Sequence, residues 1–396
     1  MTTAERSTSA DLLSKVSAIR PILEEHAEWG EANRRISPQV HEALKSAGFL
    51  RMWKPKAYGG FELHPAEAYS IFEELSAIDG AVGWNLNQHA AVSAMSTWLR
   101  DGLDEIFADP DASFAGVFWP AGSAVEVPGG FTVSATVRFA SNSQFADWFL
   151  VPAVVMDGNE PRIDPQTGGP DFLATAIRMS EGMIRDTWRT MGMRATASND
   201  VTVDNVFVPA HRAVRVFRLG TERPAALSNP LYGIMPMHGA QAHASVPLGI
   251  ARAAVDRLVK LAATKVPNFY EITLRDRPVA QAQAGEARAA IDAASAYLAS
   301  TATAACDAVA EGTPLPVEHK MAMQLAAANV ASATMRAMNL VHQAAGTSVM
   351  FNGSGFEKLY RDASTITLHA AVQTNRFESV GRMMFGHEPD WFAFQL

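Results

Sequence analysis

Residues 129–141 read GGFTVSATVRFAS, and this stretch decides the architecture. A Gly-Gly turn is followed by alternation, with Phe131, Val133, Ala135 and Val137 on one side and Thr132, Ser134, Thr136 and Arg138 on the other. A period of two is the signature of a half-buried strand. It returns in NDVTVDNVFVP (residues 199–209) through Val201, Val203, Val206 and Val208. Residues 111–225 therefore read as a β domain.

On both sides of it the pattern is helical. Upstream, Ser37-Pro38 offers a capping hydroxyl and a proline at the first helical position, and Gly48 supplies a stop. PKAYGG (residues 55–60) is a loop, Pro65 opens a second apolar segment ending near Asp79-Gly80, and a third runs from Ala81 to Leu99. Downstream, residues 279–311 are rich in Ala and free of Pro, enough for a helix on the order of 50 Å long. A second long stretch runs from Pro316 toward Ala345. Alanine-rich faces let such helices pack closely as a bundle. The expected organisation is α+β: an N-terminal helical domain (1–110), a β domain (111–225) and a C-terminal helical bundle (226–396).

Composition narrows the class of partner. The chain has 396 residues and a formal net charge of -8, with Lys and Arg scattered, which argues against nucleic acid and anionic membrane surfaces as partners. The single Cys306 excludes an internal disulfide and fits a reducing cytoplasm. The first 14 residues lack the apolar core of a signal peptide, and no apolar run reaches the ~20 residues of a membrane span. Neither a metal-site spacing of Cys and His nor a Gly-x-Gly-x-x-Gly after a strand is present.

Several motifs in this order carry a resemblance. PKAYGG, DTWRTMGMRATASNDVTVDNVFVP (186–209), HQAAGTSVM (342–350) and EKLYRDA (357–363) resemble, over nearly the whole chain, the acyl-CoA dehydrogenase superfamily. That resemblance implies a helical domain, a middle β-barrel-like domain and a C-terminal four-helix bundle. Its dehydrogenases use a Glu as the base that takes a substrate proton. The matching positions in RDASTITLHAAVQTNR (361–376) and eight residues before Pro247 are Ala370 and Gly239. Abstraction of a proton beside a thioester carbonyl needs a carboxylate within hydrogen-bond reach. Acyl-CoA dehydrogenation therefore has no first step here.

The departures resemble instead the two-component flavin-dependent monooxygenases of the superfamily, such as phenol hydroxylases, dibenzothiophene monooxygenase and amine N-oxygenases. The resemblance implies FMN or FAD, reduced by a separate NAD(P)H:flavin reductase, and O2 as co-substrate, reacting through a C4a-(hydro)peroxyflavin. RFASNSQFADW (138–148) resembles their Phe-x-Ser-Gly-Ser segment, with Asn142 in place of the common Gly. By family position Ser141 contacts the flavin near N5, and Trp119, Ser123, Phe139, Asn142 and Ser143 complete the expected cofactor contacts. His369, with GRMMFG (381–386) after it, stands where this branch has a histidine.

His369 and His89 are the expected catalytic residues. An imidazole can exchange a proton near neutral pH, so His369 could deprotonate a phenol or hydrogen-bond the oxidant. His89 lies in an apolar segment with Trp84, Asn85, Asn87 and Gln88, whose polar groups need partners, in a cavity or in a buried network. Trp84, Met95, Tyr232, Met235 and His238 are expected to line a pocket for a fairly large apolar or aromatic substrate, although such residues also serve as core. The same features leave two other readings: a flavin dehydrogenase with an unrecognised base, and a non-catalytic scaffold of the same fold. The alanine-rich faces, and the position of the flavin at a subunit interface in the family, imply a homotetramer.

Overall fold

The computed structural model describes residues 3–219 and 223–395. Four main helices form the N-terminal part: α1 (Thr3–Asn33), α2 (Pro38–Ser46), α3 (Pro65–Ile78) and α4 (Gly80–Met95), with a short α5 (Leu103–Ile106) closing it. The start signals read from sequence operate as expected. Ser37 Oγ accepts from Val40 N–H at 3.1 Å, and Gly48 takes a left-handed φ of 86°. Asp79 ends α3 and caps α4, accepting from Ala81 N–H at 2.8 Å and Val82 N–H at 3.2 Å.

The middle part is one nine-stranded mixed sheet: β1 (Phe114–Gly116), β2 (Gly122–Val127), β3 (Gly130–Val137), β4 (Trp148–Asp157), β5 (Glu160–Pro161), β6 (Phe172–Arg178), β7 (Met183–Arg185), β8 (Asp200–Pro209) and β9 (Ala213–Arg215). The path runs β7-β8-β3-β2-β4-β6-β9, with β1 and β5 on β4. Val133, Val137, Val151, Leu173 and Val201, from strands far apart on that path, share one apolar core. The sheet thus curls around its own interior, although among the described residues no pairing joins β7 to β9. Alternation in β8 changes phase after Val203 because the register slips: Val203 faces Ala135 but Val206 faces Val133. Asn205, at φ 49°, occupies the slip as a bulge.

Three long helices, α6 (Met237–Ala262), α7 (Pro278–Ala308) and α8 (Val317–Ala345), with the shorter α9 (Phe356–Ile366) and α10 (Arg376–Met384), form the C-terminal bundle. It is continuous with the N-terminal helices through α3 and α6. At Gly249 a Cβ would lie 2.1 Å from Glu73 O, so the backbones meet where no side chain fits. Beside that contact Arg252 binds Glu73 at 2.7 Å, and Ser295 of α7 donates to the same carboxylate at 2.8 Å. Burial raises the Glu73 carboxyl above its usual range despite the arginine. One core therefore joins both helical parts, and the β domain stands against it.

Candidate functional site

Where α4 and α6 meet, Gln88, Gly239 and His243 stay half-buried among buried neighbours. Along α4 every residue except Gln88 is buried, and along α6 from Met237 to Ala251 every residue except Gly239 and His243 is. These residues face each other: Gln88 Nε2 lies 3.5 Å from His243 Nε2, and a Cβ on Gly239 would find Ala91 at 3.9 Å. The half-buried His369 ring reaches the same place from the turn after α9. Three rings form a triangle, with centroids 4.9 Å apart for Trp84 and His243, 5.2 Å for Trp84 and His369, and 4.8 Å for His243 and His369. Gly239 and Ala370 border this place without a carboxylate.

The histidines are held by neighbours rather than by charge. His369 Nδ1 accepts from Ala371 N–H at 3.3 Å, and His243 Nδ1 lies 2.7 Å from Asn87 Oδ1. Burial pushes His369 down to about 4 and His243 well below the ordinary imidazole value, where nearby His369 and His238 add to the effect. Both rings are neutral at pH 7.

Trp84 links this ring cluster to the β domain. Its Nε1–H donates to Ser141 Oγ at 2.9 Å; Ser141 Oγ lies 2.6 Å from Ser198 Oγ, and Ser198 Oγ 2.7 Å from Thr196 Oγ1. Thr196 donates to Met193 O at 2.9 Å, and Asp362 Oδ1 accepts from Met193 N–H. Arg361 and Asp362 are not a pair with each other: Asp362 binds Lys358 at 2.7 Å, while Arg361 binds Glu357 at 2.7 Å and Glu31 at 3.0 Å. The Ser141 hydroxyl, expected on the flavin, is buried and tied to Trp84 and Ser198, so it fixes α4 to the β domain. Asn142 sits at φ 65°, the left-handed region in which Asn is tolerated almost as Gly is. Its Nδ2 donates to Ser113 Oγ and Phe114 O, each at 3.0 Å. The Gly-to-Asn departure thus keeps the loop's geometry, and the Asn142 side chain points into the protein. Ser143 Oγ is buried with no hydrogen-bond partner among the described residues.

The remaining expected contacts divide. Trp119 and Phe139 are 58% and 61% exposed, large aromatic faces on the β domain that both precede Ser141 in sequence, and Ser123 on β2 is half-buried. Open aromatic faces and the unpartnered Ser143 hydroxyl suit a flavin ring, which needs apolar walls and a few polar contacts. Tyr232 and His238 turn toward Trp53 instead: Tyr232 Oη donates to Trp53 O at 3.3 Å, and the His238 ring lies 4.7 Å from the indole. Neither His238 nitrogen has a partner among the described residues, and burial drives the ring down to about 3. Met95 shares the Gln88 face of α4, two turns on, and the half-buried Met235 precedes α6.

His89 corrects a sequence expectation. Its Nε2 donates to Leu50 O at 2.8 Å and its Nδ1 accepts from Phe114 N–H at 3.0 Å, inside the core. Both nitrogens are spent on backbone, so the ring has no position left for proton exchange. Beside it Lys54 donates to Pro110 O and Ala112 O, each at 2.6 Å, with burial taking its ammonium down to about 7. Together they fasten β1 to the helices. Sequence reasoning gave Gln88 and His243 no role in the site; each is the half-buried polar side chain on a stretch of helix whose other polar groups are buried.

Among the described residues no group of His, Cys, Asp and Glu could hold a metal ion, and no helix is long and apolar enough to cross a membrane. The family descriptions acyl-CoA dehydrogenase N-terminal domain (residues 16–106) and acyl-CoA dehydrogenase C-terminal domain (residues 241–374) match, together more than half of the chain. An indole-3-acetate monooxygenase of Pseudomonas putida is 29% identical over 391 residues, 97% of each chain. The flavin-dependent monooxygenase oxygenase subunit HsaA of Rhodococcus jostii is 24% identical over 92% of this chain and 95% of its own. The solved structure of XiaF from a Streptomyces species, in complex with FADH2 and glycerol, superposes with a TM-score of 0.90 at 26% identity over 99% of both chains. Together these matches place the chain in the acyl-CoA dehydrogenase superfamily, among its flavin-dependent monooxygenases.

Proposed function

We propose that this protein is the oxygenase component of a two-component flavin-dependent monooxygenase acting on a small, apolar or aromatic molecule. The observation that carries the reading is the cluster of the Trp84, His243 and His369 rings beside the Gln88 amide, with Ala370 and Gly239 where the family resemblance puts a dehydrogenase's carboxylate. When bound, reduced FMN or FAD supplies two electrons to O2, so that one oxygen atom enters the substrate and the other leaves as water. The chain's own part is to hold the ring against Trp119 and Phe139, with Ser123 and Ser143 as polar contacts. His369 holds a proton at the reacting face, and Trp84 and Met95 exclude water. A separate NAD(P)H:flavin reductase delivers the reduced flavin. We place the protein in the cytoplasm, in keeping with its single buried Cys306, whose thiol burial raises to about 12.

Assembly into a homotetramer belongs to the same reading. Leu368, Phe351, Met384 and Phe385 expose large apolar side chains on the C-terminal bundle, a surface that a monomer rarely leaves open.

The test is anaerobic titration of the protein with FMNH2 and with FADH2, followed by O2 and a panel of aromatic substrates. Saturable binding of reduced flavin and incorporation of labelled oxygen into product are expected. Turnover of an acyl-CoA with an electron-acceptor dye, or failure to bind either reduced flavin, overturns the proposal.

A further inference from the structure

The C-terminal residues reach back from the bundle to the β domain. Residues 117–121 join β1 to β2 and carry the exposed Trp119; Ala121 N–H donates to Pro152 O at 2.9 Å and pins this loop at its β2 end. Among the described residues one ring packs against the Trp119 indole. It is that of Phe392, edge to face, with centroids 5.1 Å apart and planes at 78°. The same Phe392 ring lies 5.2 Å from Phe118 and from Phe172, and 5.6 Å from Phe217. All four neighbours lie in the β part of the chain.

The anchorage of Phe392 is on the other side. Phe392–Gln395 is a 3-10 turn whose Ala393 and Phe394 are buried in the bundle with Met237, Cys306, Val309 and Met323. Lys320 of α8 donates to Phe394 O at 3.3 Å, and the Arg376 guanidinium stands 4.0 Å from the centre of the Trp391 ring. The backbone on both sides of Phe392 is therefore fixed by the helices, while its side chain serves the β domain.

We propose that Phe392 is a positioning residue of the flavin site that acts through Trp119: the bundle, by way of the C-terminal turn, sets the face that the indole offers to the isoalloxazine. This rests on the oxygenase reading above, in which Trp119 is a wall for the flavin ring. An open indole on a loop samples several rotamers, and stilling it against a ligand costs binding free energy. An edge-to-face partner removes part of that freedom before the flavin arrives, because the positive edge of one ring prefers the negative face of the other. Phe392 does this without covering the indole, which stays more than half exposed. Phe118, next to Trp119 in sequence, packs on the same Phe392 ring, so the loop is gripped at two successive side chains.

The experiment labels the full chain with 5-fluorotryptophan and follows Trp119 by fluorine NMR, its resonance identified by its loss in Trp119→Phe. Phe392→Leu keeps apolar bulk in the cluster but removes the ring. It should shift and broaden the Trp119 resonance and leave that of Trp29, on α1, in place, while Phe392→Tyr should restore the wild-type signal. In anaerobic titrations with FMNH2 and FADH2, Phe392→Leu should weaken the tighter-bound of the two by about fivefold, the weight of one side chain left to be stilled by the ligand. The same substitution in a Trp119→Ala background should add nothing, because the indole through which it acts is gone. An unchanged Trp119 resonance in Phe392→Leu overturns the proposal. So does an equal loss of flavin affinity with and without the indole, the result of a merely structural role. Phe392→Met takes the same two measurements if Phe392→Leu does not fold. A wild-type protein that binds neither reduced flavin sinks the oxygenase reading and this proposal together, whereas failure at Phe392 in a protein that binds flavin sinks this proposal alone.

Discussion

Trp84 and Ser141 meet across the boundary between the helical part and the β domain, indole N–H to hydroxyl, at 2.9 Å. Helix α4 and the Ser141 loop of the β domain are thereby joined by one buried polar contact, extended through Ser198 and Thr196. Trp84→Phe keeps most of the apolar surface and leaves the Ser141 hydroxyl short of a donor. The expected loss is about 1–3 kcal/mol of stability, read as a lower urea midpoint with an unchanged slope. An unchanged midpoint means that the contact does not hold the junction.

His369→Ala should leave folding intact, since the ring is only half-buried. Product formation should fall by about 100-fold, while oxygen uptake continues and ends as hydrogen peroxide. Full coupling of oxygen to product in this variant would make the histidine structural.

The opposite result is expected at His89. His89→Ala strands Leu50 O and Phe114 N–H in the core and should cost roughly 2–4 kcal/mol. Product formed per reduced flavin consumed should stay at the wild-type ratio. A selective loss of coupling in a stably folded variant would return His89 to the chemistry.

Asn142 can be tested by its backbone. Asn142→Ala loses two hydrogen bonds and puts a Cβ into the left-handed region without compensation, for roughly 2–4 kcal/mol. Asn142→Gly loses the same bonds but no backbone freedom, so it should be clearly milder. Calorimetry on the two variants ranks them; equal losses would show that only the side-chain bonds count.

Acid should destabilise the fold through its buried histidines. His369 and His238 titrate at about 4 and about 3 in the folded protein, and His89 and His243 are shifted the same way. An unfolded imidazole titrates at about 6.5. Between those values the unfolded chain binds more protons, so stability rises with pH there. It should be fully present above about 7 and fall as the pH drops from about 6.5 toward 4. Urea midpoints across that range measure it, and a flat profile would show that these rings are not buried neutral.

What the sequence determined by itself was local and repetitive. The alternation in GGFTVSATVRFAS, the cap at Ser37-Pro38 and the proline-free alanine run each set a backbone conformation through a few neighbours, so the three-part order could be read from them. The absence of a carboxylate at Ala370 and Gly239 was equally legible, because identity at a position needs no coordinates. Which polar groups are free was decided only by tertiary structure. In the chain Ser141 reads as a free hydroxyl, yet it is tied to Trp84 and Ser198, and His89 is held by two backbone groups far away in sequence. His243, on an alanine-rich helix, meets Asn87 and the rings of Trp84 and His369 only in the packed fold. A hydrogen-bonding group has few directions, and whether one remains open depends on partners that only the packed fold brings within 3 Å.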